Sequence, residues 1–341
     1  MREALQFSLG KQRGLRALSN ERGIIAALAV DQRSALRKLF AKISDVSAEA
    51  VTSEHLIQFK ELVSRVLTPY ATAILLDPEY GVPAAEQRHR RTGLLLACER
   101  SGYDKSVRGR LPSLLEGFSV ARLKESGADA VKALLYYSAF SASEINSKKH
   151  AWVERIGAEC AAADLPFLLE LVAYHDDLDE KSVEFARIKP EAVTRAIEEF
   201  CNPRYAADVL KIGVPVNMKF VESPGVSAAQ ALYSRAEACA YFRRASDAAT
   251  LPFIYLSEGV SNEVFVDALG IAAEAGARFS GVLCGRAIWQ DGVGVFVRGG
   301  PAALQDWLCE HGVRNIQMVN AHLTAAYPWF EKSSTVSPRN R

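Results

Sequence analysis

Eight short apolar runs recur along the chain, separated by stretches with helical periodicity. They read GIIAALAVD (23–31), ATAILLD (71–77), GLLLACE (93–99), ADAVKALLYY (128–137), PFLLELVAY (166–174), DVLKIGV (208–214), PFIYLSEGV (252–260) and FSGVLCG (279–285). Amphipathic patterns at 47–67, 151–164 and 234–250 lie between them. Continuously apolar strands that alternate with helices imply a parallel sheet covered on both faces. Turn chemistry supports the division: ESGADA and EAGARF each put Gly just past a helix, and DLP and TLP put Pro just before a strand. A count of about eight predicts a single-domain (β/α)8 TIM barrel over residues 1–330, followed by a polar tail at 331–341. A doubly wound open sheet is the alternative, and the lack of GxGxxG after the first run disfavours it. The third run is ambiguous, because TGLLLACERSGYD also fits a helix.

Composition narrows the function classes. The 341 residues are 49% hydrophobic with a formal net charge of +1, ordinary for a soluble globular protein. No basic block stands out, which argues against a nucleic-acid partner. The six Cys have no CxxC spacing and read as reduced thiols of a cytoplasmic protein. No segment has signal-peptide character or reaches the roughly 18 apolar residues of a membrane span, so neither secretion nor membrane insertion is expected.

In a barrel, reactive groups gather at the C-terminal ends of the strands. Asp31, Gln32 and Arg33 follow the first run, Asp77 ends the second, and Lys132, Glu170 and Lys211 lie in the fourth, fifth and sixth. Ser257 closes the seventh and Arg286 follows the eighth. Alternation puts Ala130, Lys132 and Leu134 on one face, and does the same for Leu168, Glu170 and Val172 and for Val209, Lys211 and Gly213. Each residue alone has a structural explanation. Lys211 reads equally as an edge lysine with its head in water. Glu170 reads as half of an ion pair, Asp31 as a helix cap, and Arg286 as the partner of a loop carboxylate. The coincidence of several such charges at one end of different strands favours a site.

Lysine attacks a ketone only as the neutral amine, and its ordinary pKa of about 10.4 leaves roughly one in a thousand in that form at neutral pH. Burial and a second cation both lower that pKa, and Lys132 is the candidate cation. The protonated imine formed on Lys211 is an electron sink for cleavage of a neighbouring C–C bond. Glu170 is then placed to move protons, with Asp31 orienting hydroxyls or assisting. Ser257 and Gly259 in LSEGVS, with Gly285 and Arg286 in CGRA, have the makeup of a barrel phosphate site in the loops after strands seven and eight.

Longer stretches carry a resemblance. LTPYATAILLDPEYGVPA (67–84), RLPSLLEGFSVARLKESGADAVKALLYY (110–137), DVLKIGVPVNMKFVE (208–222), LPFIYLSEGVS (251–261) and GVLCGRAIW (281–289) resemble the class I tagatose 1,6-bisphosphate aldolase family, and the likeness runs from about 21 to about 320. The resemblance implies a TIM barrel that cleaves D-tagatose 1,6-bisphosphate to dihydroxyacetone phosphate and glyceraldehyde 3-phosphate, with no metal and no cofactor. It implies Lys211 as the Schiff-base lysine, Glu170 as the proton-transferring carboxylate, and Asp31 and Lys132 as the remaining active-site charges. It places Ser257 and Arg286 around the 1-phosphate and Gln32 and Arg33 toward the other end of the sugar. A phosphorylated ketohexose, fructose 1,6-bisphosphate included, is the expected partner, and a homo-oligomer the expected assembly.

Three departures bear on the substrate. Glu258 stands where the family pattern has a small residue, and a carboxylate there repels a phosphate unless its side chain points away. SAFSASEI (138–145) and SPGVSAAQALYSR (223–235) also drift. Aldolases for 6-deoxy-6-sulfofructose 1-phosphate, related to the same family, are therefore an alternative. Two further classes are a metal-dependent lyase and a non-catalytic sugar-phosphate-binding regulator. The six His lack HxH or HxxxH spacing, which weighs against the first. The full set of Asp31, Lys132, Glu170 and Lys211 weighs against the second.

Overall fold

A computed structural model describes residues 7–104, 106–223 and 231–331. Residues 224–230 of the drifting segment at 223–235, and 332–341 of the expected tail, lie outside the described residues.

Eight parallel strands close into a barrel in sequence order. They are β1 (Ile25–Ala29), β2 (Ala73–Leu76), β3 (Gly93–Ala97), β4 (Ala130–Tyr137), β5 (Phe167–Ala173), β6 (Val209–Ile212), β7 (Phe253–Tyr255) and β8 (Gly281–Cys284). Every predicted run contains one of these strands, including the ambiguous third. The strands are shorter than the apolar runs because the run ends leave the ladder to build the loops at the mouth. Pairing of β1 with β8, through Ile25–Gly281 to Leu28–Cys284, closes the barrel and excludes an open doubly wound sheet.

The helices are α1 (Leu9–Ala17), α2 (Ser34–Ser44), α3 (Ser53–Leu67), α4 (Val82–Glu86), α5 (Val120–Glu125), α6 (Ser143–Ala162), α7 (Val183–Phe200), α8 (Arg235–Ala248), α9 (Asn262–Glu274), α10 (Arg286–Trp289), α11 (Gly292–Trp307) and α12 (Val313–Ala321). Two boundaries differ from the periodicity. The pattern at 47–67 starts its α-helix only at Ser53, because the Thr52 hydroxyl accepts from the His55 N–H and caps it there. The pattern at 151–164 belongs to a helix that begins at Ser143, where the first turn is too polar to show an apolar stripe.

Two apolar layers result. The larger joins the outward strand faces to the helices. The smaller fills the barrel with alternate inward residues, among them Ile25, Ala27, Ala29, Leu95, Ala97, Ala130, Leu168 and Val209. Leu15 and Leu18 from the α1 region and Trp329 join that inner layer at its N-terminal end. The barrel is therefore plugged below, and the inward positions above Ala29, Ala97, Ala130, Leu168 and Val209 are left for polar groups.

Candidate active site

Those upper positions are Asp31, Glu99, Lys132, Glu170 and Lys211, each two residues beyond an inner-layer residue and so on the same strand face. Register levels Glu170 on β5 with Lys211 on β6, whereas Lys132 on β4 pairs with Ala97 and Leu168, two residues below Glu99 and Glu170, and its long side chain reaches up to them. Asp31 and Glu99 arrive from the ends of β1 and β3.

Lys132 is fully buried at the centre. Its Nζ lies 2.7 Å from Asp31 Oδ2, 2.7 Å from Glu99 Oε1 and 3.0 Å from Glu170 Oε2. The same Glu170 oxygen lies 2.9 Å from Lys211 Nζ. Two buried lysine Nζ atoms thus share one carboxylate oxygen. Lys211 is 3% exposed, which removes the reading of it as an edge lysine with its head in water. Asp31 does not cap the following helix; Arg33 holds that position.

The environments set the charges apart. Burial alone would lower the Lys132 pKa, but its three carboxylates outweigh burial and hold it well above the ordinary lysine value. Burial pushes the Asp31 and Glu170 carboxyls up, yet the facing lysines outweigh it and hold both below their ordinary values. Glu99 goes the other way: burial dominates and raises its pKa despite Lys132. The cluster therefore combines a lysine that favours its charged form, two carboxyls that favour the ionised form and one carboxyl that protonates more readily.

Above it opens a cavity of about 620 Å³. Asp31, Gln32, Arg33, Glu99, Glu170, Gly259 and Arg286 line it, with Arg110 and Lys181 contributed from the β3 and β5 loops. Lys132 and Lys211 are not in its wall; they meet it through the carboxylates that are. Gln32 Oε1, Arg33 Nε and Glu99 Oε2 are buried without a hydrogen-bond partner among the described residues, which is expected of groups awaiting a polar ligand. The remaining Arg33 donors are engaged, Nη1 by Glu79 at 2.7 Å and Nη2 by the Glu99 carbonyl at 2.6 Å.

Of the predicted phosphate residues, Gly259 and Arg286 line the cavity, and Ser257 and Gly285, like Lys211, adjoin lining residues without lining it themselves. Gly285 packs against the Ala29 carbonyl, where a Cβ would approach to 2.6 Å. Asp77, read as a mouth residue, is fully buried against Lys60 and also accepts the Glu79 and Tyr80 N–H groups.

Sequence reasoning missed Glu99. The available signal was its place in the alternation Leu95, Ala97, Glu99, obscured by the ambiguity of that run. Among the described residues no group of three or more His, Cys, Asp or Glu is arranged to hold a metal ion, and no helix is long and apolar enough to cross a membrane.

The chain matches the family described as DeoC/LacD family aldolase over residues 25–291. It is 51% identical over 330 residues to "Tagatose 1,6-diphosphate aldolase 2" of Enterococcus faecalis, covering 96% of this chain and 98% of that one. It is 49% identical over 324 residues to "Tagatose 1,6-diphosphate aldolase" of Staphylococcus epidermidis, covering 94% and 98%. Among solved structures, fructose-bisphosphate aldolase from Plasmodium falciparum superposes with a TM-score of 0.66 at 14% identity, covering 96% of this chain and 99% of that one, a likeness of fold.

Proposed function

The chain belongs to the DeoC/LacD aldolase family, and we propose that it cleaves tagatose 1,6-bisphosphate by way of an imine on Lys211. The observation that carries this reading is the buried Lys211 amine, 2.9 Å from a carboxylate that lines the cavity.

The residues divide the work as follows. Lys211 gives a proton to Glu170 and, as the neutral amine, attacks the C2 carbonyl of the open-chain ketose. Glu170 returns protons as the carbinolamine loses water, leaving a protonated imine. A carboxylate removes the C4 hydroxyl proton, and the C3–C4 electron pair flows toward the iminium nitrogen. Glyceraldehyde 3-phosphate leaves, and an enamine remains on Lys211. Protonation at C3 and hydrolysis release dihydroxyacetone phosphate and restore the lysine. Lys132 favours the ionised forms of Asp31 and Glu170, so Glu170 holds a proton only in transit, and it stays charged itself because three carboxylates surround it.

Arg286 and the Gly259 loop bind the 1-phosphate. The unpartnered Gln32 Oε1 and Arg33 Nε take polar atoms toward the other end of the sugar. Ser257 and Gly285 belong to the same two loops and complete that phosphate site. The protein works in the cytoplasm as a homo-oligomer, a reading that rests on the family likeness and on six unpaired cysteines.

Borohydride reduction in the presence of dihydroxyacetone phosphate, followed by peptide mass mapping, tests the central step. The expected result is a reduced adduct on the peptide carrying Lys211, absent from Lys211→Ala, with cleavage abolished and the fold retained. An unmodified peptide, or turnover by Lys211→Ala at the parent rate, overturns the assignment. A panel of tagatose bisphosphate, fructose bisphosphate and sulfofructose phosphate, with tagatose bisphosphate expected to be cleaved, tests the substrate.

A further inference from the structure

Lys189 and Glu258 face the cavity from different elements, and nothing in the imine chemistry uses them. Lys189 comes from α7 and Glu258 from the loop after β7. Their Nζ and Oε2 atoms are 2.6 Å apart, and the same ammonium is 3.5 Å from the Val216 carbonyl. The Lys189 side chain is 8% exposed and that of Glu258 23%, so the cation is buried and the carboxylate only partly exposed.

The backbone accommodates the pairing at a cost. Glu258 has a φ of 50°, in the left-handed region that disfavours side chains, and Gly259 follows at 79°. This conformation folds the Glu258 carboxylate back over Gly213, where a Cβ would collide with it. Gly213 lies two residues beyond Lys211 on the same strand face. On the next residue, Gly259, a Cβ would come within 2.5 Å of Arg286 Cζ, so the Arg286 guanidinium lies against that loop. Yet Arg286 forms no ion pair among the described residues, while Glu258, one residue away from its contact, is committed to Lys189.

We propose that Lys189 is a positioning residue that holds and neutralises the Glu258 carboxylate, leaving Arg286 free to bind the substrate phosphate. Without Lys189 the carboxylate has two costly outcomes. It pairs with Arg286 and removes the phosphate's cation, or it stays unpaired and repels the phosphate directly. Both weaken substrate binding and leave the Lys211 cluster untouched. This inference rests on the assignment of Arg286 to the phosphate.

The test compares four proteins: the parent, Lys189→Met, Glu258→Gln and the double variant. Lys189→Met is expected to raise KM for tagatose 1,6-bisphosphate and the inhibition constant for inorganic phosphate roughly ten- to a hundredfold, with kcat within about threefold. Glu258→Gln and the double variant are expected to stay within about threefold of the parent in both constants, because the offending charge is gone. A merely structural Lys189 gives no such rescue. An unchanged KM in Lys189→Met, or a double variant as impaired as the single one, overturns the proposal. If Lys189→Met does not fold, the double variant decides alone: parent-like constants support the proposal and a tenfold rise overturns it. Arg286→Ala separates the two levels. Unchanged KM there removes the phosphate assignment itself, whereas raised KM there with unchanged KM in Lys189→Met removes only the role of Lys189.

Discussion

A lysine inside an apolar strand is the residue-scale anomaly of this chain, and its surroundings resolve it. Lys211 is buried beside Glu170, which Lys132 also holds. Strand alternation was enough to put Lys132, Glu170 and Lys211 on one face. It could not reveal that three carboxylates, one of them Glu99, meet a single ammonium, because that depends on register between β1, β3, β4 and β5. Lys189 was hidden for a similar reason: on α7 it looks like one more solvated charge, and its partner is 69 residues away. Glu99 carries a pH prediction opposite in sign to that of its neighbours. Its folded pKa is raised, so it favours folding below the unfolded carboxyl value, and that contribution is lost as pH rises through the folded pKa. Asp31 and Glu170, with lowered values, contribute above the unfolded value and lose it on acidification. Glu99→Gln removes only the first contribution. Its melting temperature relative to the parent is therefore expected to rise between pH 4 and pH 8, by about 1–3 °C, in scanning calorimetry at both pH values. A constant difference would show that Glu99 does not titrate in that window.

At the scale of elements, the strands and their order were legible because continuous apolar runs and Gly or Pro punctuation are local signals. Helix ends were less so. The start of α3 depends on the Thr52 cap, and the first turn of α6 has no apolar stripe to mark it. Asp77 shows how an element contact overrides position. It ends β2 as a mouth residue should, but Lys60 of α3 reaches it through the packed layer, and both side chains are fully buried. Lys60 also donates to the Val30 carbonyl at 2.6 Å, tying α3 to the ends of two strands. Burial lowers the Lys60 pKa despite Asp77, so this pair is an expensive tie. Lys60→Met leaves Asp77 buried with its charge uncompensated, at a cost of about 3–5 kcal/mol. The expected outcome is a melting temperature lower by roughly 4–7 °C with KM for the bisphosphate within about threefold. A variant as stable as the parent would mean that Asp77 is served by its loop N–H bonds alone.

Across the whole molecule, stability and chemistry occupy opposite ends of the barrel. The upper end carries the buried charges around Lys132, the unpartnered Gln32, Arg33 and Glu99 atoms and the left-handed Arg110 and Glu258, each of which costs folding energy. The lower end compensates with apolar closure. Trp329 is 4% exposed and packs with Leu15 and Leu18 under the inner layer; its Nε1 donates to Ser19 Oγ at 3.1 Å and its backbone N–H to the Gly23 carbonyl at 3.1 Å. Segments near both ends of the chain thus meet to seal the barrel, an arrangement that no local pattern announces. Trp329→Ala opens a cavity there, with a cost of about 3–5 kcal/mol. If the two ends act independently, this variant has a markedly lower melting temperature while kcat and KM at 15 °C stay within about twofold of the parent. Lys211→Ala should do the reverse, losing turnover while retaining the fold. Thermal melts and steady-state kinetics on the two variants check this directly. A large fall in kcat for folded Trp329→Ala would mean that the plug also sets the height or register of the lysine cluster, and that the barrel transmits strain along its length rather than insulating its ends.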